Sequence, residues 1–505
     1  MAQYIMVQGT SSHVGKSIVA TALCRIFLQD RKKVVPFKAQ NMALNSYVTA
    51  EGLEMGRAQV AQAEAAGLLP MVDMNPVLLK PTGNSCSQVI INGRPVGNMS
   101  AHAYHQGYSL KAFDAVKDAL GRLDKAFDVV VIEGAGSPAE VNLKANDIVN
   151  MRVAKAVKAP VLLVADIDRG GSLAAIVGTL ELLEPDERDL VKGLIINKFR
   201  GDVSLFTPAV DFLEKKTGKP VLGILPYVDD MGIDEEDSVS LADKRHQQGQ
   251  GGIEIAVIEV PKISNFTDFD SLDREEPVHV YYVKDCAELG HPDCIILPGS
   301  KNTTEDMLWL RKSGLAARIQ QANDQGVPVV GICGGYQMLG RHIEDPLQTE
   351  SALGHCEGLG VLPLNTTFAP EKRTVQVTGT CTNLPFMGRH LTVPSVTGYE
   401  IHMGRTVCTD ASMVHPLHVD GTAATISAAR PDGLVWGTYM HGIFDNDAFR
   451  HAFIEALGAR KGIQVTEEMV SFHDAKEQSY DRLADVVRHH LDMDKLYRIM
   501  AGETV

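Results

Sequence analysis

Six short apolar runs alternate with stretches of helical periodicity through the first half of the chain: "YIMVQG" (4–9), "VVPFK" (34–38), "FDVVVIEGAG" (127–136), "APVLLVADID" (159–168), "KGLIINKF" (192–199) and "KPVLGILPY" (219–227). Their Val, Ile and Leu residues run continuously instead of alternating with polar ones, which requires burial on both faces. A parallel sheet covered by helices on each side meets that requirement. A second series follows, with "IEIAVIEVP" (253–261), "VHVYYVKD" (278–285), "DCIILPGSKN" (293–302) and "VPVVGICGGYQML" (327–339). Between the two lies "DDMGIDEEDSVSLADKRHQQGQGG" (229–252), which is polar, acidic and then rich in Gln and Gly, with little to build a core. The expected organisation is therefore an α/β chain with domains at 1–230 and 252–447 joined by a linker at 231–251. A helical extension over 448–505 follows, where Leu483, Val486, Val487, Leu491 and Leu496 fall at helical spacing.

With 505 residues, 45% of them hydrophobic, the chain is long enough for two or three cores. A formal charge of −15 argues against nucleic acid or an anionic membrane as a partner, so an acidic ligand must be met by local cations. The eight cysteines include no CxxC pair and no metal-ligand spacing, which fits a reducing compartment. No basic leader with an apolar core opens the sequence and no apolar run approaches a bilayer span, so a cytoplasmic protein is expected. Nothing in the composition speaks to oligomeric state.

The first apolar run ends in "GTSSHVGKS", residues 9–17, followed by a helix-like stretch. A Gly-rich turn between strand and helix aims backbone N–H groups at phosphate, a Lys neutralises it, and a Ser hydroxyl reaches Mg2+. Gly15, Lys16 and Ser17 supply those parts, although five residues separate Gly9 from Gly15 where the usual loop has four. Glu133, just past the strand "VVVIE", is a candidate second Mg2+ ligand. A tight Gly turn before an ordinary helix is the plain alternative.

The second series places Cys333 between a strand and the helix-like "YQMLG", an elbow that exposes a nucleophile and aims the following N–H groups at an oxyanion. "WGTYMHGIF" supplies His441 as the base that takes the thiol proton. A small buried Cys in a glycine turn is the plain alternative here.

The extended loop, Glu133 and "IINKF" together resemble the dethiobiotin synthetase-type branch of P-loop enzymes, whose loop reads GTxxxxGK[ST]. That resemblance implies ATP as cofactor, held by Gly9, Thr10, Val14, Gly15, Lys16 and Ser17 with Asn197 at the base, and activation of a carboxylate by phosphoryl transfer. Cys333 and His441 resemble the class I glutamine amidotransferases, in which a thiolate attacks the glutamine amide and releases ammonia; "LPGSKNT" (297–303) matches their other oxyanion loop at Gly299, beside Gly334. The family's usual Glu after the His is absent, since Gly442 and Ile443 follow, leaving the third member missing or supplied from elsewhere.

The same absence, together with "GYEIHMGR" (398–405), is similar to the cobalamin-pathway amidotransferases; Glu400 and His402 mark that subgroup without an assigned role. The order of synthetase then amidotransferase resembles this family over essentially the whole chain. Within it, "PFKAQNMALNSYVT" (36–49), "EMGRAQVAQAEAAG" (54–67) and "NPVLLKP" (75–81) resemble the branch that amidates the b, d, e and g carboxylates of a corrinoid, not the branch acting on a and c. The partners implied are glutamine and a corrinoid. Lys38, Arg57, Lys80 and Arg169, near predicted strand ends, are the candidate corrinoid-binding cations. Glu54, expected on the "EMGRAQ" helix, is a further candidate Mg2+ ligand. A nucleotide-switched binding module, with a dead rear domain, is the reading from another class.

Overall fold

The computed structural model describes residues 1–83, 85–228, 232–233, 252–421, 425–465 and 471–503. The expected linker at 231–251 lies almost wholly outside them.

The six N-terminal runs form one sheet. Its strands are β1 (Gln3–Gly9), β2 (Val34–Phe37), β3 (Val129–Glu133), β4 (Val161–Asp166), β5 (Val191–Phe199) and β6 (Val221–Pro226), in the order β6-β5-β4-β1-β3-β2. Every neighbouring pair is parallel. All five residues of β3 are buried, as continuous apolar strands demand, and each fully buried Val or Ile contributes about 1.5–3 kcal/mol. Helix α1 (Lys16–Gln29) leaves the end of β1 and lays Val19, Leu23, Ile26 and Phe27 on the sheet.

Two local features were not legible beforehand. Residues 40–100 carry a second, mixed sheet of four short strands, Gln40–Met42, Val77–Gly83, Cys86–Ile91 and Arg94–Ser100. Glu54–Gly56 is a strand paired antiparallel with Ser46–Val48, and helix α2 (Arg57–Ala65) begins only afterwards, so Glu54 is not helical as expected.

In the C-terminal half, β7 (Ile253–Ile258), β8 (Val278–Val283), β9 (Cys294–Leu297) and β10 (Val329–Ile332) lead into a short helix, α3 (Gly334–Met338). A long hairpin, β11 (Leu364–Phe386) and β12 (Arg389–Cys408), precedes β13 (Ser427–Ala429) and β14 (Val435–Thr438). The sheet order is β8-β7-β9-β10-β14-β13, parallel except for its last pair.

The expected C-terminal extension divides between the two halves. Helix α4 (Asp447–Lys461) buries Phe449, Phe453, Ile454 and Leu457 in the rear core. Helices α5 (Phe472–His490) and α6 (Met493–Met500) return to the front, where Leu483, Val487, Leu491, Leu496 and Ile499 join the core beneath α1. Arg25 on α1 donates to Asp481 at 2.7 Å and to Glu477 at 2.8 Å, which fixes the return. No described helix is long and apolar enough to cross a membrane.

Candidate active sites

At the front, β1 sits between β4 and β3, so its C-terminal end opens the crevice where parallel sheets bind ligands. Gly15 turns the chain at φ 97°, and a Cβ there would strike the Asn197 amide. Among the described residues no side chain caps α1, whose N-terminus points a helix dipole at the turn, as a phosphate site requires. The Lys16 ammonium folds back over the loop, donating to the carbonyls of Ser11 at 2.9 Å and Gly136 at 3.2 Å. Thr10 N–H is tied to the Val164 carbonyl at 2.9 Å, and Val14 is buried. Asn197 on β5 donates to the Val14 carbonyl at 2.8 Å, bracing the loop from beneath. Gly9, Thr10, Val14, Gly15, Lys16, Ser17 and Asn197 thus converge on one turn.

Glu133 is fully buried at the end of β3 and accepts from the Ser17 hydroxyl at 2.8 Å, the Lys38 ammonium at 3.1 Å and the Gln62 amide at 2.6 Å. The hydroxyl and carboxylate oxygens are hard donors of the kind Mg2+ takes, and the buried Gln62 Oε1 beside them has no protein partner among the described residues. A hydrated cation fits that set.

Glu54 does not belong to it. Both of its oxygens are taken, by Lys80 at 2.9 Å and by Lys372 from β11. Those two ammoniums outweigh the burial that would raise its carboxyl, and hold it well below the usual range. Of the four cations expected to meet the corrinoid, Lys38 is committed to Glu133 and Lys80 to Glu54, while Arg57 is buried with its guanidinium 5.4 Å from the Tyr47 ring centre. Only Arg169 is exposed. The physical reason is the chain's own acidity, since buried carboxylates need internal cations before any ligand does. A cavity of about 500 Å³ beside Gly136 is lined by Gln40, Tyr104, His105 and Arg152, with Lys144 paired to Glu187 at 2.7 Å and Lys155 to Asp186 at 2.6 Å.

At the rear, Cys333 directly follows β10 at φ 52°, ψ −106°, a strained corner for a non-glycine residue. The corner exists because α3 turns back over β9, where a Cβ on Gly335 would collide with the Leu297 carbonyl. β14 lies parallel to β10, pairing Thr438 with Ile332, and carries His441 to the same end of the sheet. The His441 imidazole, 1% exposed, lines one small cavity with Cys333, whose thiol donates to the Ile401 carbonyl at 3.7 Å. Gly334 and Ser300 line that cavity, whereas Gly299 lies one residue back, where a Cβ would stand 3.2 Å from the His441 ring.

Asp268 supplies the third member that the sequence left open. It sits on a 3-10 turn, Phe266–Phe269, 173 residues before the His. One oxygen takes Nδ1 of His441 at 2.6 Å and the other takes the Gly442 N–H at 3.0 Å, which fixes the carboxylate and the ring together. Burial alone would lower the imidazole pKa, but the Asp268 carboxylate and Cys333 reverse this and raise it to about 10.

Tyr399, the second residue of "GYEIHMGR", stacks on the imidazole with ring centres 5.2 Å apart and donates its hydroxyl to the Ser46 carbonyl at 3.2 Å. Asn265 donates to the same hydroxyl at 3.0 Å and accepts from Ser46 N–H at 3.1 Å. The front segment "ALNSYV" is therefore seated against Tyr399, the ring that stacks on the His441 imidazole. Glu400 accepts from Arg373 at 3.0 Å and from His402 at 2.9 Å, and His402 lies on the Tyr439 ring. The structure also gathers His342, His355 and Glu357 within 4.8 Å on a partly exposed hairpin, a metal-ligand grouping invisible in linear spacing.

Two family models match the chain, the CobQ/CobB/MinD/ParA nucleotide binding domain over residues 5–240 and the CobB/CobQ-like glutamine amidotransferase domain over 254–449. Among curated proteins, cobyric acid synthase of Moorella thermoacetica is 53% identical over 100% of this chain and 98% of its own length. That of Pelotomaculum thermopropionicum is 54% identical over 99% and 97%. That of Dehalococcoides mccartyi is 51% identical over 99% of both.

Proposed function

The chain belongs to the cobyric acid synthase family, and we infer that it uses ATP and glutamine to amidate the b, d, e and g carboxylates of adenosylcobyrinic acid a,c-diamide, giving adenosylcobyric acid. The observation that supports this reading is the presence of two separate polar constellations on one chain. A phosphate loop is braced against Glu133 in front, and a Cys–His–Asp set lies behind. We assign the synthetase to residues 1–230 and the amidotransferase to 252–447, with the C-terminal helices shared as described.

At the rear, the Cys333 proton rests on His441, whose imidazolium the Asp268 carboxylate holds, and the thiolate attacks Cδ of glutamine. The oxyanion is met by N–H groups of Gly334 and of the loop at Gly299, ammonia leaves, and water hydrolyses the thioester to glutamate. At the front, Lys16 and the first N–H groups of α1 hold the phosphates while a corrinoid carboxylate, entering beside Gly136, attacks the γ-phosphorus and ADP leaves. Ammonia then attacks the acyl carbon and phosphate departs. Ser17 and Glu133 would hold Mg2+, which supplies charge neutralisation on the phosphates when bound. Glutamine, ATP and the corrinoid carboxylate are thereby handled by separate residues.

Mass analysis of corrinoid products tests the assignment, because each acid-to-amide change lowers the mass by about one unit. Loss of about four units from the a,c-diamide, with no action on the a and c acetates of the diacid, is expected; amidation confined to a and c assigns the other branch. No amidation of either corrinoid, with nucleotide binding intact, favours the binding module.

Asp268→Asn should lower kcat for glutamine hydrolysis by about 10²- to 10⁴-fold, since the imidazole loses both its tautomer and its counter-charge. The sign of the pH effect follows from the raised His441 pKa. The imidazolium is retained well above its ordinary 6.5 and is lost as pH rises through about 10. Without the carboxylate, burial dominates, and the alkaline limb of the pH profile should move toward acid. An unchanged limb in Asp268→Asn removes Asp268 from the site.

A further inference from the structure

The strands His342–Glu344 and His355–Glu357 pair antiparallel, His342 opposite Glu357 and Glu344 opposite His355, with Ile343 opposite Cys356 between them. Alternation puts Ile343 and Cys356 on one face, where both are buried, and the four polar residues on the other. His342–Glu344 is also paired with β11 on its far side, His342 against Asn365 and Glu344 against Thr367. The polar face therefore stands on a strand held along both edges, and it serves no step of either reaction described above.

The distances on that face distinguish ion pairing from ligation. One Glu357 oxygen, Oε1, lies 3.2 Å from Nδ1 of His342 and 3.3 Å from Nε2 of His355, and the ligand atoms of the three residues all fall within 4.8 Å of one another. A charge-assisted hydrogen bond from a ring N–H to a carboxylate closes to about 2.7–2.9 Å. Atoms bound to one tetrahedral Zn2+ at about 2.0–2.1 Å stand about 3.3–3.4 Å apart, the edge of that tetrahedron. Both nitrogen–oxygen separations match the second figure. The two rings are stacked, with centres 6.1 Å apart and planes inclined by 28°. Two imidazole nitrogens and one carboxylate oxygen suit a borderline cation such as Zn2+, whereas Mg2+ takes oxygen sets. All three side chains are about half exposed, which gives a cation its entry path and leaves a fourth position to water.

We propose that His342, His355 and Glu357 bind one Zn2+ ion across the base of this hairpin. Such an ion joins the two ends of the turn 345–354. That turn is folded on Asp345, which accepts the N–H groups of Thr349, Glu350 and Ser351 at 2.8, 2.8 and 3.0 Å. Its Glu350 accepts the Thr303 N–H at 2.9 Å, at the start of helix Thr303–Lys312. The ion is thus a staple that holds the turn against the rear domain, and it is independent of both reaction assignments.

The test is Zn2+ equilibrium dialysis and Co2+ absorption on the full-length chain, first freed of metal by chelation. Mg2+ in excess competes at oxygen-only sites, and Cys333→Ala is the background, so that the thiol there does not take the probe. One equivalent of Zn2+ is expected to bind and to displace Co2+ with loss of its visible absorption. His355→Ala and Glu357→Gln should each weaken Zn2+ binding by at least about tenfold to a hundredfold. His390→Ala, at an exposed imidazole elsewhere, should leave it unchanged. Zn2+ should also slow amide hydrogen exchange over 345–354 in the parent and not in Glu357→Gln. His355 and Glu357 are solvent-exposed, so their variants should fold, and the exchange measured on the parent stands without them. Binding that survives both substitutions, or that falls equally in His390→Ala, overturns the site as adventitious surface chelation. Bound Zn2+ that leaves exchange over 345–354 unchanged overturns the staple.

Discussion

Cys333→Ala is expected to abolish glutamine-dependent amidation, by at least about 10³-fold, while amidation driven by added ammonium salts continues. The asymmetry follows from where the sulfur stands. Its corner backbone and the His441 contact place it in a cavity of the rear half. The phosphate loop and Glu133 form a separate network in the front half. Only the nitrogen source passes through the thioester, so a free amine that diffuses to the acyl phosphate bypasses the lesion. The exchange of sulfur for hydrogen removes little volume from a residue that is already small, so the elbow should survive. Parallel assays with glutamine and with ammonium, read as corrinoid amide by mass, make the comparison. Equal loss with both donors would remove Cys333 from the nitrogen branch.

The parts of this design that could be read from the chain are those set by local sequence. Continuous Val and Ile runs such as Val129–Glu133 require two covered faces wherever they fold, and they became parallel strands. Glycines flanking Cys333 prescribe a tight corner irrespective of context. Asp268 was hidden for the opposite reason. "NFTDFD" has no periodicity, and its carboxylate acquires meaning only when a 3-10 turn meets a loop 173 residues away. Glu54 was misread because "EMGRAQ" has a helical composition, while its first three residues pair with Ser46–Val48 across a turn. The partners of the lysines expected to meet a ligand are set in the same way. Whether Lys38 serves substrate or Glu133 depends on which carboxylates end up buried, a tertiary fact. "GYEIHMGR" is the instructive middle case. Its oddness was visible, but its place, with Tyr399 spanning from His441 to Ser46, joins residues from both halves of the chain.

Lys16→Ala is expected to lower amidation by about 10²- to 10³-fold with glutamine and with ammonium alike, because no acyl phosphate forms for either donor to attack. The ammonium is held over the loop by two carbonyl oxygens, of Ser11 and Gly136. Phosphate oxygens entering the turn would exchange places with those acceptors, and alanine offers them nothing. The substitution leaves Gly15, the Asn197 brace and the Ser17–Glu133 contact in place, so the loop should keep its shape. Hydrolysis of glutamine should persist in part, since its Cys–His–Asp set draws no group from this loop. How much persists carries further information. The front segment at Ser46 touches the Tyr399 hydroxyl, and Tyr399 lies on the His441 imidazole, so an empty or misloaded front site has a physical route by which to slow the rear one. Side-by-side measurement of corrinoid amide and of glutamate released by Lys16→Ala separates the two contributions: full amidation without Lys16 contradicts the phosphate cradle, and glutamate release at the parent rate confines the defect to the front.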